Sequence, residues 1–276
     1  MKLIDGKACA TELRAGLKEK IDKMQRKPGL AVVIVGEDAA SKIYVRNKIK
    51  ACGELGIRSY SYELPADCAQ TALENLLDEL AIDENIDGVL LQLPLPKGLD
   101  AESAIKHIPV AKDVDGFSTE NLGLLLQHKE KIVACTPLGI MKMLEREHID
   151  VAGKHAVVLG RSETVGKPMA LLLLNANATV TICHSKTKNL KEICKEADIL
   201  VAAVGKAKFV TADMVKPGAV VIDVGMHREE NGKLCGDVDF ESVKDLTSHI
   251  TPVPGGVGPM TITMLMYNTY IAACKE

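Results

Sequence analysis

The sequence predicts an α/β protein of two domains, because its length, its alternation of elements and one turn motif agree. The chain has 276 residues, which is long for a single core and comfortable for two. Apolar runs of strand length alternate with amphipathic stretches of helix length, and short loops separate them. This alternation is typical of parallel sheets with right-handed crossovers. A Gly-x-Ser-x-x-x-Gly turn at residues 160–166 follows one of the predicted strands and marks the second domain.

The first series of elements lies before residue 150. Strands are predicted at Leu30–Val35, Ser59–Leu64 and Gly88–Leu93. Helices are predicted at Ala39–Leu55, Thr71–Leu80, near Ala101–His107 and Asn121–Gln127, and at Pro137–Glu147. Gly56 is predicted as the residue that ends the first of these helices.

A second series begins at Lys154. Its strands are predicted at His155–Leu159, Ala178–Cys183, Ile199–Val204 and Ala219–Val224, and a last apolar helix at Pro259–Cys274. We therefore predict a first domain of residues 1–136 plus 259–276 and a second domain of residues 137–258. The predicted architecture is two α/β domains flanking a cleft, the second with a Rossmann-like parallel sheet.

Composition narrows the classes of partner. Hydrophobic residues make up 47% and charged residues 26%, which is an ordinary balance for a globular protein. The net charge of −3, the absence of Trp and the presence of only three Phe speak against a nucleic-acid partner. No apolar run reaches the roughly 18 residues of a membrane helix, and the first residues carry no leader pattern. The eight cysteines are scattered without metal-binding spacing, so we expect reduced thiols, no metal and a cytoplasmic location.

The turn after His155–Leu159 predicts a dinucleotide site. Gly160 permits a tight turn, the small Ser162 lets backbone amides approach a phosphate, and Gly166 permits close contact between helix and strand. The phosphate would then lie at the N-terminus of the following helix. The spacing differs from Gly-x-Gly-x-x-Gly, so a plain strand-to-helix turn remains the alternative.

The next strand favours NADP over NAD. An NAD site usually places an acidic residue about 20 residues past such a turn, yet no acid occurs from Thr179 through Leu190. Ser185 and Lys186 stand there instead, and Arg161 lies within the turn. Cations and hydroxyls suit a 2′-phosphate, which a carboxylate would repel. We predict NADP contacts at Arg161 and Ser185, and a solvated loop remains the alternative for the lysines.

Polar residues of the first domain offer proton chemistry. Tyr44 and Lys48 are four residues apart on a predicted helix and share a face, so that a lysine and a phenol can act together in proton transfer. Gln92 interrupts an apolar strand near its carboxyl end, where open α/β folds bind ligands. An ordinary surface helix and a hydrogen-bonded strand-end amide remain the alternatives.

Two further segments carry weaker signals. Asp113 and Asp115 are two carboxylates before a glycine, which indicates either a ligand contact or only a turn, and two carboxylates are thin support for magnesium. Pro254 and Gly255 have no reactive side chain, so their value would be backbone groups that approach a ligand closely.

Together these segments resemble the bifunctional methylenetetrahydrofolate dehydrogenase/methenyltetrahydrofolate cyclohydrolase family, of the FolD type. The matching segments, in family order, are residues 44–48, 88–96, 112–116, 160–168, 183–185 and 251–259. One departure is Ala134 where the family often has proline. Glu163 is also unusual within the turn, and its charge is expected to point away from the cofactor phosphates.

The resemblance implies roles for single residues. Lys48 is implied as the catalytic lysine, Tyr44 and Gln92 as its support, and Asp115 as the carboxylate that holds the pterin edge. The implied NADP contacts are Gly160, Arg161, Ser162, Ser185 and, through its backbone, Met226. The implied folate contacts are Tyr44, Lys48, Gln92, Asp115, Pro254 and Gly255.

The resemblance also implies an activity and an assembly. The activity is NADP-dependent oxidation of 5,10-methylenetetrahydrofolate to 5,10-methenyltetrahydrofolate, followed by hydrolysis to 10-formyltetrahydrofolate. These reactions belong to one-carbon metabolism, which serves purine, methionine and histidine biosynthesis. The implied assembly is a homodimer built through the nucleotide domains.

Three other functions are weighed against this one. A short-chain dehydrogenase also uses Tyr-x-x-x-Lys, but there the glycine turn precedes the pair, whereas here Tyr44 and Lys48 come over a hundred residues before Gly160. A dehydrogenase without hydrolytic activity has less need of Lys48. A nucleotide-binding regulator would not need Lys48, Gln92 and Asp115 together.

Overall fold

The protein is mixed α/β with parallel sheets, as predicted, and divides into two compact units. The coordinates are a computed structural model that describes residues 1–274, apart from the side chains of residues 39 and 40. The last two residues of the predicted segment 259–276 lie outside this range. The first unit comprises Met1–Thr11 and Thr136–Thr261, and the second comprises Glu12–Cys135 and the chain from Ile262. No helix of residues 1–274 combines the length and the apolar character that crossing a membrane requires.

The secondary structure alternates along the chain. The strands are β1 (Lys2–Leu3), β2 (Gly29–Val35), β3 (Arg58–Leu64), β4 (Gly88–Leu91), β5 (His155–Leu159), β6 (Thr179–Cys183), β7 (Ile199–Ala202), β8 (Val220–Asp223), β9 (His227–Arg228), β10 (Leu234–Cys235) and β11 (His249–Ile250). The helices are α1 (Gly6–Asp22), α2 (Ala39–Leu55), α3 (Gln70–Ile82), α4 (Ala101–Ile105), α5 (Thr119–Leu126), α6 (Cys135–Arg146), α7 (Gly166–Asn175), α8 (Leu190–Lys195), α9 (Phe240–Val243) and α10 (Val257–Ala273). Short 3₁₀ turns lie at Val110–Lys112, Ala212–Met214 and Lys244–Leu246.

The first unit contains a six-stranded parallel sheet in the order β1-β11-β8-β7-β5-β6. Strand β5 pairs with β6 on one side and with β7 on the other, so the chain reverses its direction of winding beside β5. The carboxyl end of β5 is therefore the place where an open α/β sheet leaves a crevice for a ligand. The buried residues Val157, Leu159, Leu200 and Val221 form the centre of this unit's core.

The first eleven residues belong to this unit, whereas the sequence-based division assigned them to the other domain. Strand β1 pairs in parallel with β11, with Lys2 opposite His249 and Leu3 opposite Ile250. Two residues are too few for a periodic pattern, and their pairing partner lies far along the chain.

The second unit contains a three-stranded parallel sheet in the order β3-β2-β4. All seven residues of β2 are buried, as expected for a central parallel strand. Helix α2 begins where the Asp38 carboxylate accepts the backbone N–H of Ser41 at 2.7 Å. It ends at Gly56, whose φ of 77° is left-handed, as predicted for a terminal glycine.

Candidate active site

Lys48 and Gln92 meet at the carboxyl edge of the three-stranded sheet. Lys48 lies on α2 and donates from Nζ to Oε1 of Gln92 at 3.0 Å. Gln92 follows β4, and its Nε2 donates to the carbonyl of Leu93 at 2.6 Å. Because the amide nitrogen is occupied by a carbonyl acceptor, the amide oxygen is held toward the lysine. Both residues are partly buried, so the lysine ammonium is held in place beside an opening to solvent.

Asp115 shares this site with Lys48. Removal from water raises the pKa of its carboxyl from 3.8 to about 6, the charge of Lys48 acts in the opposite direction, and the charge of Asp113 adds to the rise. The structure therefore brings Lys48, Gln92 and Asp115 together, and their roles stay predictions.

The other carboxylate of the pair is structural. Asp113 is buried and accepts the backbone N–H groups of Gly116, Phe117 and Ser118 at 3.1, 3.2 and 2.8 Å, and Nδ2 of Asn121 at 2.9 Å. The Asp113 carboxylate thus folds the loop that presents Asp115. Asp113 therefore makes the turn, which is one of the two alternatives, and a ligand contact of Asp115 stays a prediction.

Asn268 is a part of this site that sequence reasoning missed. It lies on α10, is fully buried, and its Nδ2 donates to the carbonyls of Val114 and Val133 at 2.9 and 2.8 Å. One amide group therefore ties the segment before Asp115 to the segment before Cys135. The only signal in the sequence was a single asparagine in an apolar helix.

The remaining predicted folate contacts are Tyr44, Pro254 and Gly255. Tyr44 lies one turn before Lys48 on α2, and 37% of its surface is exposed. Pro254 and Gly255 belong to the first unit, where the Gly255 carbonyl accepts the backbone N–H of Lys7 at 3.2 Å. The predicted folate contacts of these three residues stay predictions.

The turn after β5 has the backbone geometry of a phosphate-binding turn. Gly160 has a left-handed φ of 119°, and a Cβ at this position would lie 2.2 Å from the carbonyl oxygen of Ala203. A Cβ on Gly166 would lie 2.3 Å from the carbonyl oxygen of Gly160. Both positions therefore require glycine, for the tight turn and for close approach of α7 to the strand.

The sequence suggests that Ser162 contacts a phosphate, and in the structure its hydroxyl also binds backbone groups of the turn. Its Oγ accepts the backbone N–H groups of Val165 and Gly166 at 3.2 and 3.3 Å, and so fixes the first turn of α7. Its hydroxyl hydrogen still allows donation to a phosphate. Glu163 pairs with Lys167 at 2.8 Å, and this ion pair balances the charge of the unusual acid in the turn.

A cavity of about 270 Å³ opens at this edge of the sheet. Gly160, Arg161 and Ser185 line it, and their contacts to a cofactor stay predictions. The further lining residues are Leu159, Cys183, His184, Leu190, Ala203, Val204, Lys206 and Phe209. Ser162 and Met226 are not among these residues, and 49% of the surface of Met226 is exposed.

Lys206 is a cation of this cavity that the sequence analysis missed. Its Nζ lies 5.9 Å from the centre of the Phe209 ring. Arg161 and Lys206 give the cavity two cationic side chains, which suits a ligand with phosphate groups. Within residues 1–274, no group of three His, Cys, Asp or Glu residues is arranged to hold a metal ion.

Comparisons with known proteins agree over nearly the whole chain. The catalytic-domain model of tetrahydrofolate dehydrogenase/cyclohydrolase matches residues 4–115, and the NAD(P)-binding-domain model matches residues 134–276. A relative from Dechloromonas aromatica, called bifunctional protein FolD, is 56% identical over 278 residues, which cover 100% of this chain and 98% of the relative.

Two solved structures are also similar. The bifunctional enzyme FolD, methylenetetrahydrofolate dehydrogenase/cyclohydrolase, from Campylobacter jejuni has a TM-score of 0.97 and 46% identity, covering 99% of this chain and 98% of that one. The methylenetetrahydrofolate dehydrogenase-cyclohydrolase from Trypanosoma brucei, complexed with NADP cofactor and an inhibitor, has a TM-score of 0.92 and 38% identity, covering 98% and 96%.

Proposed function

Because the chain belongs to the tetrahydrofolate dehydrogenase/cyclohydrolase family, we propose that it catalyses two successive reactions. The first is the NADP⁺-dependent oxidation of 5,10-methylenetetrahydrofolate to 5,10-methenyltetrahydrofolate. The second is the hydrolysis of that product to 10-formyltetrahydrofolate. The observation that carries the proposal is the grouping of Lys48, Gln92 and Asp115 in a chain that matches both family domains from end to end.

The oxidation places few demands on side chains. A hydride leaves the methylene carbon, and the positive charge that remains is delocalised over the two folate nitrogens bonded to that carbon. No proton is removed in this step, so no strong base is required. Asp115 holds the substrate by accepting hydrogen bonds from N–H donors of the pterin, and a carboxylate is the side chain that binds such donors most strongly.

The hydrolysis requires proton transfers. Water attacks the methenyl carbon, the attacking water loses a proton, and a proton reaches the nitrogen that leaves when the ring opens. Lys48 carries out these transfers, and its bond to Gln92 holds Nζ in one direction. Tyr44, one turn away on α2, supports the lysine from the same helix face.

The residues of the turn and cavity fit NADP. When bound, the cofactor supplies the hydride acceptor of the oxidation. Gly160 and Gly166 permit the tight turn and the close approach of α7 that a phosphate site at the start of this helix requires. Arg161 and Ser185 offer a cation and a hydroxyl to a 2′-phosphate. Met226 follows β8 and is proposed to contact the cofactor through its backbone.

The finer features of the proposal rest on the family resemblance. We assign residues 1–136 plus 259–276 to folate binding and catalysis and residues 137–258 to NADP binding, with residues 1–11 completing the sheet of the nucleotide unit. The 10-formyl product would serve purine, methionine and histidine biosynthesis in the cytoplasm. A homodimer is expected, and light scattering should then give about twice the mass of the 29.7 kDa chain.

One assay tests both reactions. The purified protein is given 5,10-methylenetetrahydrofolate with NADP⁺ or NAD⁺, and the reduced cofactor and the methenyl product are followed separately. A second cuvette contains the methenyl compound without any nucleotide. We expect reduction of NADP⁺ in the first case and disappearance of the methenyl compound in the second. If NADP⁺ is reduced but the methenyl compound is not hydrolysed, the protein is a dehydrogenase only. The absence of both reactions would refute the proposal.

A further inference from the structure

Asp237 is a buried carboxylate with an unusual set of donors. Its side chain is fully buried and accepts three consecutive backbone N–H groups, those of Val204 at 2.6 Å, Gly205 at 3.0 Å and Lys206 at 2.9 Å. It also bonds to Nε2 of His227 at 2.8 Å. Successive N–H groups that converge on one anion form a rigid arrangement, since hydrogen bonds to an ionised acceptor are the strong ones.

The surrounding chain is built to admit this carboxylate. A Cβ on Gly225 would lie 2.4 Å from the backbone nitrogen and from Oδ1 of Asp237. The backbone N–H of Asp237 donates to Oδ1 of the buried Asp223 at 2.8 Å, and the same oxygen accepts the N–H of Gly225 at 3.0 Å. Two buried carboxylates thus connect the segment around Asp237 with the end of β8.

The backbone held by Asp237 is a wall of the nucleotide cavity. Ala203, Val204 and Lys206 line the cavity together with Arg161 and Ser185. His227 stands directly after Met226, the residue proposed to contact the cofactor through its backbone. A single carboxylate therefore orders the loops that follow β7 and β8 at the carboxyl edge of the sheet.

We propose that Asp237 is a positioning residue for NADP, which holds the loop of residues 203–206 in the shape that the dinucleotide requires. The inference rests on the proposed function, because it takes the cavity as the NADP site. An amide in place of the carboxylate turns one of its two acceptor oxygens into a donor, so at least one of the three backbone N–H groups loses its acceptor and the loop leaves its binding shape. The hydrolytic reaction needs no nucleotide, so it reports whether the rest of the protein is intact.

The test compares Asp237→Asn with Asp198→Asn. Asp198 is a matched control because its carboxylate also accepts a backbone N–H, from His155 at 3.0 Å, and a cation, Lys216 at 2.7 Å, but at the other edge of the same sheet. For each protein we would measure the dissociation constant of NADP⁺ by calorimetry, the KM for NADP⁺ in the oxidation, and kcat/KM for hydrolysis of the methenyl compound without nucleotide.

We expect Asp237→Asn to raise the NADP⁺ dissociation constant and KM by about tenfold or more, with hydrolysis within about twofold of the parent. Asp198→Asn should change the NADP⁺ dissociation constant, the KM for NADP⁺ and the hydrolytic kcat/KM by no more than about twofold. The proposal is overturned if Asp237→Asn binds NADP⁺ like the parent, or if binding and hydrolysis fall in proportion.

A milder variant decides the case in which Asp237→Asn does not fold. His227→Leu removes the imidazole donor without adding another and keeps the carboxylate, so a rise of about threefold in the NADP⁺ dissociation constant is expected. An unchanged constant overturns the proposal. If the parent protein itself binds no NADP⁺ or hydrolyses no substrate, the proposed function fails, independently of Asp237.

Discussion

The two functional regions of this molecule are built from different chemical groups. The region around Lys48 depends on side chains, namely a lysine, an amide and a carboxylate that are partly withdrawn from water. The nucleotide cavity depends on backbone geometry, with glycines where a Cβ cannot fit and N–H groups fixed by a buried carboxylate. The contrast implies that side-chain exchange damages the first region, whereas added atoms at glycines damage the second.

The largest effect is expected from Lys48→Met. A methionine of similar length fills the space but transfers no proton, so hydrolysis of the methenyl compound should fall by about 10³-fold or more. The measurement is kcat/KM for that reaction, alongside thermal unfolding to check that the variant is folded.

Lys50→Met is the matched control for this change. It removes a lysine two residues further along α2, whose exposed side chain pairs with Glu54 at 3.9 Å. Its hydrolytic rate should stay within about twofold of the parent. A normal rate of methenyl hydrolysis in Lys48→Met would contradict the proposed role of the lysine and the contrast between the two regions.

Gly166→Ala tests whether the nucleotide cavity depends on the backbone geometry of the turn after β5. The new Cβ would meet the Gly160 carbonyl oxygen at 2.3 Å, so the turn must open and the protein should lose about 1–3 kcal/mol of unfolding free energy. NADP⁺ affinity should fall by about 10²-fold while hydrolysis is retained. Gly258→Ala, at a position with open space in α10, should leave the unfolding free energy the same or higher. Normal NADP⁺ binding in Gly166→Ala would contradict the role of this turn.

Arg161→Ala tests whether a side chain of the cavity determines the preference for NADP⁺ over NAD⁺. The guanidinium is expected to face the 2′-phosphate, so the KM for NADP⁺ should rise by about 10–50-fold and that for NAD⁺ by less than about threefold. The oxidation assay with both cofactors gives the two values. An equal rise in KM for both cofactors would contradict the assignment of Arg161 to the 2′-phosphate.

The smallest effect concerns the pH dependence of stability at Asp115. Burial raises the pKa of this carboxyl to about 6 in the folded protein, above the 3.8 of an exposed aspartate. The buried charge of Asp115 therefore lowers the free energy of unfolding by its full amount above about pH 6. This loss of stability disappears as the pH falls toward about 4.

Asp115→Asn removes this titration. It should be more stable than the parent at pH 7.5, and its advantage should shrink by about 1–2 kcal/mol at pH 5, as measured by urea unfolding. Asp223, whose pKa is also raised to about 6 by burial, is present in both proteins and cancels in the difference. A difference that does not change with pH would contradict the burial of the Asp115 charge.

Prediction from sequence succeeds where a local pattern carries the information. Helix α2 and strand β5 match their predicted bounds, because a left-handed glycine ends the helix and a continuous apolar run forms the strand. Helix α1 was missed, since its buried residues include the small Cys9 and Ala10, and its mean hydropathy is low. Lys48, Gln92 and Asp115 each give only a weak local signal, and their common role is implied by the family resemblance.

Residues that act through distant partners leave no such pattern. Asn268 bonds to a carbonyl 154 positions away, and Asp237 bonds to N–H groups more than thirty positions away. The sequence displays both as single polar residues, which are compatible with an exposed surface. Only the fold shows that one ties the Asp115 loop and the other the cavity wall.

The pairing of β1 with β11 has a consequence for how the protein is made. Lys2 and Leu3 are synthesised well before their partners, because His249 and Ile250 each lie 247 residues further along the chain. Strand β1 therefore cannot join the six-stranded sheet until β11 has emerged from the ribosome, whereas the three-stranded sheet has all of its strands once residue 91 has emerged. During translation, the three-stranded sheet beside the helix of Lys48 can therefore assemble first, and β1 joins the six-stranded sheet later.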